Sequence, residues 1–178
     1  MSSLTAMEPS PDTVEAAAPN AVFSPTDDLA SLWFKAYQGE VSGEVLFGIV
    51  AAASENAERR RKMELLTRLE ERTKVACVPA MHRNGFSTEP DPKTVSEAEA
   101  LGEVVVNLAW TDFLSAFEAI TTDFIALYER IGEVADDDRA EAELLVAHEV
   151  ALREFARREI AGRSDDSTEP IESLPHMR

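Results

Sequence analysis

An all-α, four-helix antiparallel bundle is the fold this sequence predicts, on three observations. Apolar residues recur at alternating steps of three and four over long windows, as at Trp110, Phe113, Phe117, Ile120, Phe124, Leu127 and Ile131. Glycines number only 7 in 178 residues, fewer than the turns of a β-sandwich or barrel usually need. No stretch alternates apolar and polar residues over a useful strand length. This length suits one core, expected over residues 24–162, with disordered tails over 1–23 and 163–178, both rich in small, polar and proline residues.

The first helix is expected to start at Ser24-Pro25-Thr26-Asp27-Asp28, with Ser24 as N-cap and Pro25 in the first helical position. Its apolar stripe runs through Leu29, Leu32, Trp33, Ala36, Phe47, Val50 and Ala51 to a hairpin near Ser54-Glu55-Asn56-Ala57. A second helix follows from about Glu58 to Ala80, with Met63, Leu66, Leu69, Thr73 and Cys77 on one side and Pro79 at its fraying end. The stretch from His82 to Ser96 contains Gly85, Pro90 and Pro92 and reads as a loop. Fully extended, at about 3.3 Å per residue, it spans roughly 40 Å, enough for a crossover along the height of a bundle. A third helix is expected from about Val95 to Ile131, a turn from Gly132 to Asp138, and a fourth helix from Asp138 to Ala161, stopped by Gly162.

Charge and composition exclude several functions. With 34 acidic and 17 basic residues the net charge is −17, which repels a phosphate backbone, so no nucleic-acid partner is expected. No apolar run is long enough to cross a bilayer, so no membrane partner is expected either. The lone Cys77 cannot form an internal disulfide and sits on a buried stripe, as a core residue. The first residues lack the basic and apolar regions of a secretory signal, and a cytoplasmic location is expected. The run Glu58-Arg59-Arg60-Arg61-Lys62 reads as a solvated helix end. Phe86 reads equally as a lid or as packing.

The informative residues are polar ones on apolar stripes, since an ionised group inside a bundle is costly unless something pairs with it. Glu40 lies near the middle of the first helix's buried face and Glu44 at its edge. Each follows a glycine, Gly39 or Gly43, which leaves room beside the backbone for a neighbouring helix or a ligand. Glu70 borders the second stripe and His148 lies within the fourth. A first turn centred near residue 57 sets Glu44 level with Glu70, and Glu40 level with Thr73. A second turn centred near 135 sets His148 level with residues 121–123, bracketed by Glu118 and Asp123. The candidate metal ligands are therefore Glu40, Glu44, Glu70, Glu118 and His148, a set of hard oxygens and one nitrogen that suits Fe, Mn or Zn. The competing reading pairs the inward acids with arginines such as Arg68 or Arg153.

The Gly-Glu element at 39–44 with Leu46-Phe47, the Leu-Glu element at 69–70 and the Ala-His-Glu element at 147–149 resemble helices of the ferritin-like superfamily. That superfamily includes the rubrerythrins and the carboxylate-bridged di-iron oxygenases. The resemblance implies a bundle with a long crossover between helices two and three. It makes Glu44 or Glu40 the first acid, Glu70 the second, Glu118 the third and His148 the fourth-helix imidazole. Two positions depart from the superfamily's pattern: Thr73 stands where a second-helix histidine is expected, and Leu145 where a fourth-helix glutamate is.

The implied function is an iron- or manganese-dependent oxidoreductase acting with dioxygen or peroxide on an unidentified small-molecule substrate. Two other readings stand beside it: a metal-free ferritin-like bundle serving as a structural or protein-interaction module, and a bundle that takes a small organic ligand among the third-helix aromatics. A long exposed helical face permits a homodimer.

Overall fold

The computed structural model describes residues 22–178, so most of the tail expected over 1–23 lies outside the described residues. The described chain is all-α, with six helices and no strand. Four are long: α1 (Leu29–Ala53), α2 (Ala57–Arg83), α4 (Trp110–Val134) and α5 (Arg139–Ile160). Two are shorter, α3 (Pro92–Val105) and α6 (Glu169–Glu172). Among the described residues no helix is long and apolar enough to cross a membrane.

Side-chain caps set the helix starts. Asp28, not Ser24, caps α1, its carboxylate accepting from the Ser31 N–H at 2.8 Å. The expected start fails because Asp27 binds the Ser24 N–H at 2.8 Å and closes a separate turn ahead of the helix. Asn56 caps α2 through the Arg59 N–H. Pro79 does not end α2, which continues to Arg83. Pro79 and Val75 are both exposed, so water can take the carbonyl that the missing N–H leaves free.

The crossover differs from the extended loop expected over 82–96. Only residues 84–91 are irregular; Asp91 then caps α3 by accepting from the Thr94 N–H, with Pro92 in the first helical position. This helix lies along α1, where Gly102 faces Ile49 so closely that a Cβ would come within 2.7 Å of the Ile49 side chain. The single third helix expected from Val95 to Ile131 is broken between Val105 and Trp110. Three β-branched residues in a row (Val104, Val105 and Val106) weaken the helix there, and the Asn107 amide bonds back to the Glu103 carbonyl.

α1 packs along α2 and α3, α4 packs along α5, and α1 meets α4 while α2 meets α5. Their buried faces form two apolar clusters. One holds Phe47, Val50, Leu66, Leu69, Phe113, Leu114, Leu152 and Phe155. The other holds Leu32, Trp33, Val41, Cys77, Leu127, Tyr128, Ile131 and Leu145. Phe86 packs on the second cluster. Along every long helix the switch from one cluster to the other falls at a polar stretch.

Residues 163–178, expected as a tail, fold back onto the helices. Ile171 is fully buried and Leu174 nearly so, both within the first cluster. The expected solvated end of α2 supplies the anchor. Lys62 is 1% exposed, and its ammonium donates to Glu159 at 2.6 Å and to the Ser164 carbonyl at 2.8 Å. Polar tail residues can be ordered in this way when a buried charge needs their carbonyls.

Removing that ammonium leaves Glu159 buried without its cation. Lys62→Met is expected to destabilise the chain by about 3 kcal/mol in urea unfolding. Arg61→Met, at an exposed neighbouring position, is expected to stay within about 0.5 kcal/mol of the parent.

Candidate metal centre

The polar layer between the two clusters is built from one or two residues of each neighbouring helix. On α1 it is Glu40, 1% exposed, one residue beyond Gly39. On α2 it is Glu70 and Thr73, one helical turn apart and both buried. On α5 it is His148 and Glu149, and on α4 it is Thr121 with Tyr128 two turns further on. Two glycines make the close approach possible. A Cβ on Gly43 would sit 2.8 Å from the Glu70 carboxyl carbon, and one on Gly39 would sit 2.6 Å from the Phe124 ring.

Glu40, Glu70 and His148 each offer one ligand atom, and these atoms lie within 4.8 Å of one another. His148 Nε2 is 3.4 Å from a Glu40 oxygen and 3.5 Å from a Glu70 oxygen. The other Glu40 oxygen accepts from the Tyr128 hydroxyl at 2.7 Å, while the one facing His148 is buried with no hydrogen bond. Among the described residues no lysine or arginine nitrogen comes within 4.0 Å of Glu40, Glu70 or Glu149. Neither Arg68 nor Arg153 therefore forms the pairing weighed from the sequence.

Thr73 determines which imidazole nitrogen faces the acids. Its hydroxyl oxygen lies 2.9 Å from the Leu69 carbonyl, 3.0 Å from His148 Nδ1 and 3.2 Å from His176 Nε2. A hydroxyl has one proton and two lone pairs, and the Leu69 carbonyl can only accept. All three contacts are hydrogen bonds only if Thr73 donates to Leu69 and both imidazoles donate to Thr73. Burial lowers the His148 pKa, favouring the neutral ring. A neutral ring protonated at Nδ1 presents a bare Nε2 lone pair to two carboxylate oxygens.

Burial, followed by the Glu40 charge, pushes the Glu70 carboxyl well above its ordinary range, and the same two causes raise Glu149. Tyr128 and Cys77 are also raised, first by burial and then by Glu40. Every one of these shifts opposes negative charge, as a cluster without a cation must. A divalent ion fits both the charge and the spacing. Two ionised carboxylates cancel its charge, and donors about 2.1 Å from a shared tetrahedral ion lie about 3.4 Å apart.

The remaining sequence candidates lie elsewhere. Glu44 is half-buried and pairs with Lys74. Glu118 pairs with Arg157 at 2.7 Å, with the arginine more than half exposed. The turn between α1 and α2 centres on Glu55, not on residue 57, which slides the register so that Glu40 instead of Glu44 stands level with Glu70. On α4 the buried residue at this height is Thr121, and Glu118, three residues before it, is partly exposed and turned to Arg157.

Glu149, Tyr128 and His176 belong to the site but were not among the sequence candidates. Glu149 is 6% exposed with an oxygen 4.0 Å from His148 Nε2, and its place beside His148 was the available signal.

Glu149 also ties stability to pH. Its ordinary value is 4.5 and the folded value is higher, so the folded chain keeps a proton that the unfolded chain releases. The resulting contribution falls as pH rises from 4.5 through the raised value. Metal-free Glu149→Gln is therefore expected to gain stability over the parent as pH rises above 4.5, with this advantage vanishing below pH 4.5. Urea unfolding across that range checks it. Scans against protein-family models, curated protein sequences and solved structures found no match to this chain.

Proposed function

We propose that this chain is a four-helix, ferritin-like metalloprotein that holds a single iron or manganese ion with Glu40, Glu70 and His148 and uses it as an oxidoreductase with dioxygen or peroxide. The observation that carries the reading is His148 Nε2 lying 3.4 and 3.5 Å from two buried carboxylate oxygens, with no lysine or arginine nitrogen within 4.0 Å of either acid. The four long helices and the Leu-Glu and His-Glu elements support the superfamily resemblance. A single ion is the economical occupancy, because Thr73 and Leu145 replace two donors of the di-iron pattern.

Iron or manganese bound there supplies one-electron exchange with an oxygen-derived oxidant. The chain's own residues do the rest. Tyr128 fixes one Glu40 oxygen and leaves the other aimed at the site. Thr73 orients His148 through the nitrogen that does not face the acids. Glu149, raised above the usual carboxylate range, holds a proton beside His148. The apolar clusters on either side exclude bulk water and strengthen the pull of the carboxylates on a cation.

Elemental analysis of protein purified without chelators after growth with iron or manganese is expected to give close to one ion per chain. Glu40→Ala and His148→Ala are expected to lose it, and Glu44→Ala, whose partner is Lys74, to keep it. Added metal at a hundred times its Kd should stabilise the parent by about 2.7 kcal/mol and leave His148→Ala unchanged. A parent that stays metal-free after supplementation overturns the reading.

A further inference from the structure

We infer that His176, carried back from residues 164–178, is a positioning residue for the metal centre, acting through Thr73 on His148. The inference rests on the metal reading above and adds a residue on no helix of the layer. Lys62 holds the start of the segment at Ser164, and Arg158 donates to the Asp166 carbonyl at 2.8 Å. Ile171 and Leu174 are sunk in the first apolar cluster, and Arg72 donates to the His176 carbonyl at 3.2 Å. These contacts bring the His176 ring to the Thr73 hydroxyl, with Nε2 at 3.2 Å.

His176 Nδ1 is buried without a partner, so the Thr73 contact is the ring's one side-chain hydrogen bond. An unused acceptor lone pair costs less there than a stranded N–H, which puts the proton on Nε2, facing Thr73. His176 thus fills the second Thr73 lone pair and keeps water from it. With Leu69 taking the hydroxyl proton, the direction left to Thr73 is to accept from His148 Nδ1. His148 Nε2 then stays unprotonated and ready to bind. Partners of a ligating histidine are commonly worth ten- to a hundredfold in metal affinity.

The test measures Zn(II) affinity by competition with a chromogenic chelator, using the full chain. His176→Ala and Thr73→Val are each expected to weaken zinc about tenfold to a hundredfold. The double variant should be no weaker than Thr73→Val alone, because one residue acts through the other. His176→Gln, whose amide N–H can reach the same hydroxyl, should recover most of the affinity. Unchanged affinity in His176→Ala overturns the inference while leaving the metal reading standing. So do additive losses in the double variant, or a His176→Gln as weak as His176→Ala, since either marks loosened packing. A parent chain that binds no zinc, iron or manganese overturns the metal reading and this inference together.

Discussion

The carboxyl groups of Glu40 and Glu70 and the imidazole of His148 meet in the middle of a helical core with no lysine or arginine nitrogen within 4.0 Å of the acids, and the layout of the molecule follows from that. Burying carboxyl groups without a cation is costly whether they ionise or keep a proton, so the surrounding structure has to hold them there. α2, α4 and α5 switch between the two apolar clusters beside Glu70, Thr121 and His148, and α1 switches just beyond Glu40, between Val41 and Phe47. Gly43 gives up its side chain to make room for Glu70, and Tyr128 spends its hydroxyl on Glu40. A core that needed only to be stable would place leucines here.

The other buried charges show that the chain can satisfy such groups. Asp138, 1% exposed, accepts from the Trp33 indole, the Arg83 guanidinium and the Asn84 amide. Lys62 and Glu159 pair with each other and recruit Ser164 and Trp110. Against these closed networks, the central layer lacks positive charge. The balance there favours protonated Glu70 and Glu149 and a neutral His148 ring; a cation binding there would displace the Glu70 proton and take the neutral ring as it is.

Much of this was legible in the sequence, and the failures have physical causes. The helical periods marked the long helices, and the acids on their stripes marked the layer. Register within the first hairpin was read from its breakpoint, and a shift of two residues in the turn was enough to exchange Glu44 for Glu40. Glu118 was placed by height alone, and height does not say which way a side chain points around a helix. The cap before α3, an aspartate followed by proline, was present but hidden among other loop residues. His176 could not be found from pattern, because local composition says nothing of the distant Lys62 that tethers its segment.

That tether also orders events during biosynthesis. Translation runs from the N-terminus, so Glu40, Glu70 and His148 all leave the ribosome before residues 164–178 do. A nascent chain thus has its three donors while the wall carrying His176 is still missing. On the metal reading proposed above, an ion bound at that stage is held more weakly than one bound after His176 has docked on Thr73.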